Sequence, residues 1–255
     1  MKSTKFIVLC LLFATLFLSA GCGKEEKEPP AVRLVSKIEH YENNGNVVTL
    51  NQTIEYRYDE QNRITEMIYT DKTGVSGSGI FSYPVENTMV AGNATYTLNS
   101  DGSIASWSAD DRLMETCTYA NGFLERREQY SEFGTIPVTT FETYTWENGN
   151  IKTIVLEVSF LTDPPESYST TLFFEYSIQN KPSSIEFHRF HVGFPRGWNG
   201  KSALNLPSKI TNKGDTFEEV TTYRYETDRK GYPIRIFVQE NDGDEELRTV
   251  IEYED

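Results

Sequence analysis

One unit recurs along most of this chain and leaves few folds open to it. A run ends in an aromatic, one further residue and a second aromatic; a turn follows, and the next run begins on an apolar residue. Tyr56-Arg57-Tyr58 precedes Arg63-Ile64, Tyr144-Thr145-Trp146 precedes Asn150-Ile151, and Tyr223-Arg224-Tyr225 precedes Pro233-Ile234. Looser copies run through Tyr96 and Leu98, Cys117 and Tyr119, and Phe174 and Tyr176, with a half copy at Ile251 and Tyr253. Residues two apart share one face of a strand, so each copy presents an apolar face that only neighbouring strands can cover.

The turns carry their own chemistry. Asn44-Gly45, Asp101-Gly102, Asn121-Gly122, Asn148-Gly149 and Asp242-Gly243 supply the positive φ angles that tight hairpins require. Between them the alternation is clean: Ile154, Leu156, Val158 and Phe160 fall on one face, and Thr153, Glu157 and Ser159 on the other. Sustained helical periodicity is absent from the pattern. The reading is an all-β, antiparallel up-and-down meander of roughly 12 to 16 strands, each about 7 to 11 residues long. An open sheet that wide would leave two long edges unpaired, so closure into a barrel, or strong coiling, is expected.

The start of the chain reads as processing signal. Lys2 and Lys5 precede an apolar run over residues 6–18, and Ser19, Ala20 and Gly21 lead to Cys22. The run is short for a membrane span, which needs about 20 apolar residues, and fits a cleaved signal peptide over residues 1–21. Leu18-Ser19-Ala20-Gly21-Cys22 resembles a lipobox, which implies that the Cys22 thiol is acylated. Two or three acyl chains anchor a protein stably, where a single chain is marginal. Residues 22–31 then form a charged, Pro-ended tether, in which Lys24-Glu25-Glu26 resembles the export tag of Bacteroidetes surface lipoproteins. Residues 32–255 are expected to be a single β domain.

Taken together, the lipobox, the acidic tag, the length and the recurring aromatic unit resemble an uncharacterised family of Bacteroidetes lipoproteins with a porin-like β-barrel fold. The resemblance covers roughly residues 32–255. It implies a soluble porin-like barrel and an outer-membrane, cell-surface location, and it brings no activity with it.

Charge narrows the partners. The formal net charge of −14 becomes −16 once Lys2 and Lys5 leave with the signal. That balance disfavours nucleic acid and direct adsorption to anionic lipid. The membrane is therefore engaged through the N-terminal lipid alone. A true outer-membrane barrel needs an apolar outer band. Here the presumed outer faces carry Thr53, Glu55 and Arg57, then Glu125 and Arg127, and later Arg235.

The search for chemistry returns few candidates. With Cys10 in the signal and Cys22 acylated, Cys117 stands alone in the domain and reads as a small buried apolar residue. No cofactor motif occurs. Gly74 to Gly79 lacks the last glycine of a nucleophile elbow. His188 and His191, three apart, would lie on opposite faces of a strand, which argues against a metal pair. Asp110-Asp111 and the Asp242 to Glu246 run read as charged turn tips.

One stretch breaks the alternation. From His188 through Gly200 it gathers His191, Phe194, Arg196, Trp198 and Asn199 in an otherwise acidic protein. Long irregular loops on rigid scaffolds often carry function. Trp198 and Phe194 would stack on a sugar face with Arg196 and Asn199 donating hydrogen bonds, or the aromatics would plug one end of the barrel. The sequence thus points to a lipid-anchored envelope β-module that binds a glycan or a protein partner without catalysis. Its alternatives are a structural role in an outer-membrane complex and an acid-pair hydrolase.

Overall fold

The computed structural model describes residues 33–44, 47–177, 185–188, 191–195 and 198–254. Cys22 and the tether lie outside these residues. The strands are β1 (Val35–Asn44), β2 (Val47–Tyr58), β3 (Ile64–Asp71), β4 (Ser76–Ser82), β5 (Thr88–Ala91), β6 (Ala94–Leu98), β7 (Ile104–Ala109), β8 (Arg112–Ala120) and β9 (Phe123–Phe133). They continue as β10 (Ile136–Glu147), β11 (Asn150–Phe160), β12 (Glu166–Glu175), β13 (Ile185–His188), β14 (His191–Pro195), β15 (Lys209–Gly214), β16 (Glu218–Thr227), β17 (Pro233–Glu240) and β18 (Glu246–Tyr253).

Sixteen of these close into one antiparallel barrel in sequence order, with β18 paired back onto β1 and β12 paired directly with β15. Closure removes the unpaired edges that a sheet of this width would otherwise expose. β13 and β14 form a separate two-stranded ribbon. The stretch read as irregular is therefore in part a hairpin. Its register pairs His188 with His191 across the ribbon rather than spacing them along one strand.

Two of the expected turns follow the sequence closely, whereas at Asp242-Gly243 the positive φ falls on Asn241 instead, at Asp101-Gly102 only Gly102 has it, and Gly45 lies outside the described residues. Asn121 and Gly122 both have positive φ (54° and 82°), as do Asn148 and Gly149 (52° and 75°), the geometry of a two-residue hairpin loop. Asp110 and Asp111 adopt the same pair of left-handed angles (49° and 62°) and make the β7–β8 turn, so their carboxylates sit at a tip.

A bulge recurs just past the turns at one end of the barrel, in two-residue and five-residue connections alike. Tyr58 pairs with Ile64 but Arg57 pairs with Glu66, leaving Thr65 as the extra residue. The same slip leaves over Ala105, Glu125, Lys152 and Ile234 in the β6–β7, β8–β9, β10–β11 and β16–β17 hairpins. Each extra residue inverts the in–out parity beyond it.

At the bulged end, aromatic side chains stitch each even strand to the start of the odd strand before it. Tyr58 donates to the Val35 carbonyl (2.8 Å), Tyr83 to Ile64 (3.0 Å), Tyr119 to Ile104 (2.7 Å) and the Trp146 indole N–H to Leu124 (2.7 Å). Tyr176 donates to Ile151 (2.9 Å), Tyr225 to Pro207 (2.6 Å) and Tyr253 to Pro233 (2.8 Å). This girdle explains the second aromatic of the repeat, which buries a ring and still satisfies its polar tip. Burial pushes the phenols of Tyr58, Tyr119, Tyr176 and Tyr225 well up, so they stay protonated donors. Leu98 occupies the equivalent place on β6 and makes no such bond through its side chain.

Inside lie two apolar clusters. One gathers Val35, Ile38, Tyr56, Ile64, Ile236 and Ile251; the other gathers Cys117, Leu124, Tyr144, Ile151, Ile154 and Leu172. Tyr56 and Tyr144, first aromatics of their repeats, belong to these clusters and Tyr223 packs against the first, while Tyr96 stacks on Trp107 instead.

Candidate functional site

Three features of the interior bear on function: a segment laid over the girdle end, a buried charged network behind it, and the mouth at the other end.

Residues 198–207 run along the girdle rim from β7 to β15. The Trp198 carbonyl accepts from the Ile104 amide (2.8 Å), the Lys201 amide donates to Gly122 (2.7 Å), and the Leu204 amide donates to Gly149 (3.0 Å). Asn205 donates its amide to the Asn150 side chain (2.9 Å), and Leu206 and Pro207 are buried. Gly200 bridges to Phe123 with φ of 79°. A Cβ there would stand 2.5 Å from the Gly122 carbonyl oxygen, so this close approach requires glycine.

The candidate binding residues divide accordingly. Arg196 and the side chains of His191 and Phe194 lie outside the described residues. Trp198 is half-buried, packs against the Val35–Ile38–Tyr56 cluster, and meets the Phe81 ring at 5.2 Å and 53°. Asn199 turns the other way, and its side-chain oxygen accepts a hydrogen bond from Arg127. The structure thus places consecutive residues against opposite sides of the interior.

Arg127 corrects the sequence reading, which set it on the outer face. The bulge at Glu125 shifts the parity of β9, so Leu124 and Arg127 both face inward while Glu125 and Arg126 face out. Arg127 is 4 % exposed and lies between Glu142 (3.4 Å) and Glu115 (3.6 Å). Tyr144 donates to Glu142 (2.6 Å), Gln129 donates to Glu115 (2.8 Å), and the Cys117 thiol points to Glu115 (3.4 Å). Burial works against the guanidinium charge, but Tyr144, Glu115 and Glu142 outweigh it and hold the Arg127 pKa above its ordinary value. Burial also pushes the Cys117 thiol up to about 12, with Glu115 adding to the effect. A protonated, buried thiol is a poor nucleophile.

This network had a partial signal. Glu142 is two residues from Tyr144 and Glu115 two from Cys117, so each shares the inward face of a repeat residue. Arg127 had none, because the bulge hides it.

The opposite end differs in character. Along β9 the inward positions run Arg127, Gln129, Ser131 and Phe133, from buried to fully accessible, and Phe133 is 72 % exposed. Phe160 ends the inward face of β11, and Tyr168, 62 % exposed, lies on the inward face of β12. Phe160 stands perpendicular to both neighbours, 6.5 Å from Phe133 at 89° and 6.0 Å from Tyr168 at 84°. Tyr168 donates to Glu166 (3.3 Å). Among the described residues no cluster of three or more metal-ligating side chains occurs.

Comparison with known proteins supports the architecture. No family profile matches the chain, and no curated protein does. Among solved structures, a porin-like protein from Bacteroides uniformis aligns with a TM-score of 0.58 at 19 % identity, over 86 % of this chain and 98 % of that one. A porin-like protein from Bacteroides vulgatus aligns over the same shares with a TM-score of 0.49 at 12 % identity. The first likeness shows the fold: a porin-like barrel.

Proposed function

We propose that this chain is a lipid-anchored envelope β-module, acylated at Cys22 and displayed at the cell surface, that binds a glycan or protein partner without catalysing a reaction. The observation that carries the reading is the asymmetry of the barrel. Its girdle end is stitched by aromatic hydrogen bonds and overlaid by residues 198–207, whereas the other mouth exposes inward-facing rings. Arg33, just before β1, lies at the girdle end and bonds the Glu254 carbonyl (3.0 Å). In this reading Trp198 and Asn199 organise the interior rather than touch ligand.

The exterior supports a barrel standing outside the bilayer. Arg57 pairs with Glu66 (2.8 Å) and Arg235 with Glu226 (3.1 Å) on outward positions, where a membrane-spanning barrel needs apolar side chains. Glu115 and Glu142 are buried and bonded to Arg127, Gln129 and Tyr144, which favours a packing role for them over acid-pair hydrolysis.

A second reading, assembly into an outer-membrane complex, draws on the outer face of β4–β8. The outward residues paired there, among them Ile80, Val90, Thr95, Ser106, Ser108 and Thr116, are uncharged, between Glu66 on one side and Arg126 and Glu128 on the other. An uncharged sector on so acidic a protein suits protein docking.

Detergent partitioning and surface proteolysis test the anchor and its display. The wild type is expected in the detergent phase and Cys22→Ala in the aqueous phase, and added protease should digest the barrel on intact cells. Protection until the outer membrane is opened would place the module inside the envelope.

A further inference from the structure

We infer that the ledge formed by Phe133, Phe160 and Tyr168 at the mouth opposite the girdle is a subsite for a neutral glycan chain; the inference rests on the binding role proposed above and names its ligand class and place. The three rings form one continuous set, with centroids 6.5 and 6.0 Å apart, contributed by β9, β11 and β12. Phe133 and Tyr168, at 72 % and 62 % exposed, offer faces that the protein itself leaves uncovered. Exposed aromatic faces carry negative quadrupole potential and attract the polarised C–H groups on the flat side of a pyranose ring.

The polar surroundings suit hydroxyl groups. Glu166 accepts from Tyr168 at 3.3 Å and pairs across the strands with Phe160, so its carboxylate stands beside the ledge as an acceptor. Ser131, also inward and exposed, lies one step below Phe133 on β9. Sugar hydroxyls donate and accept equally well, and a mixed ring-and-oxygen surface serves them.

Charge restricts the glycan. Glu166 faces inward beside the ledge, Asp163 lies in the β11–β12 connection, and the chain as a whole has a net charge of −14. A uronate, sialate or sulfate would approach against this field, and a neutral polysaccharide would not. Area argues against a protein as the occupant. With about 200 Å² for a whole aromatic side chain, the exposed rings offer roughly 300–400 Å², against the ~800 Å² per partner of a stable protein interface.

The test titrates the detergent-solubilised full-length lipoprotein with gluco-, manno-, galacto- and xylo-oligosaccharides and with their uronate and sialylated counterparts. Saturable binding of at least one neutral series is expected, weakened about tenfold or more by Phe133→Ala with Tyr168→Ala. Both residues are exposed, so the melting temperature should hold. The acidic counterparts should bind at least about tenfold more weakly. Neutral binding that survives the double variant removes the ledge and leaves the binding role standing. Equal binding of acidic glycans overturns the ligand class. Silence of the wild type across the panel overturns the glycan reading itself, as does a protein partner whose binding the double variant abolishes.

Discussion

Arg127 reaches out of the barrel wall and donates to the side-chain oxygen of Asn199, tying the charged interior to the segment that overlies the girdle end. The guanidinium thereby serves two carboxylates and a backbone-anchored amide at once. Replacing it by Met would strand Glu115 and Glu142 without their cation. Loss of one partner from a buried ion pair costs about 3–5 kcal/mol. Denaturant unfolding of Arg127→Met should show a loss of that size, and Asn199→Ala a smaller one of about 1–2 kcal/mol. Equal stability of wild type and Arg127→Met would mean that the carboxylates are satisfied without it.

Trp198 gives a second prediction. Its ring packs on Phe81 and on the cluster around Ile38. Truncating a large buried aromatic costs about 3–5 kcal/mol, and a half-buried one correspondingly less. Trp198→Ala should lower the melting temperature by several degrees and speed hydrogen exchange at the Ile104 amide, which bonds the Trp198 carbonyl. An unchanged melting temperature would free the indole for a binding role.

The girdle predicts a graded series. Tyr119→Phe removes the hydroxyl bonded to the Ile104 carbonyl and little else. Each neutral hydrogen bond of this kind contributes about 0.5–1.5 kcal/mol. Single Tyr→Phe changes at Tyr58, Tyr119 and Tyr253 should each cost within that range; Tyr119 should add to either of the others, whereas Tyr58 and Tyr253 meet at Val35 and should couple.

Turn aspartates set the acid limit. Hydrogen bonds from Thr73 and Ser103 hold the carboxyls of Asp71 and Asp101 below their ordinary value of 3.8. Asp59 and Asp228, although burial works against their charge, are lowered by backbone amides such as those of Arg63 and Tyr232. A depressed folded pKa stabilises the fold above the unfolded value, and that contribution fades as pH falls through the depressed value. The melting temperature should therefore stay level from neutral pH to about pH 5 and drop below about pH 4. Asp101→Asn should flatten the drop, and a variant that falls as steeply as wild type would remove Asp101 from the account.

Much of this was legible in the residues, and the part that was not has a definite cause. Period-two alternation and Asn-Gly turns located most strands, because both report the pleat directly; Ile154 through Phe160 face as their spacing requires. The aromatic pairs announced one apolar face, yet their division into a core ring and a girdle ring depends on carbonyls in the neighbouring strand. Arg127 was misplaced because a bulge adds a residue without leaving a mark in composition. Short strands such as β5 and β6, with four and five residues, carry too few positions for a pattern. The ledge was hidden for a different reason: Phe133, Phe160 and Tyr168 are separated by up to 35 positions in sequence and meet only through the curvature of the wall.

At the girdle end, covalent turns and aromatic hydrogen bonds alternate around most of the ring, and the joint that closes the barrel has neither. There the first and last strands meet, with the Glu254 amide on the Leu34 carbonyl (2.9 Å) and Arg33 on the Glu254 carbonyl. That joint has the shape of one more hairpin whose loop happens to be cut. The barrel is therefore cyclic in all but its peptide bond. A circular permutant with residues 33 and 254 linked, and the chain opened instead at Asn148-Gly149, should close the same wall.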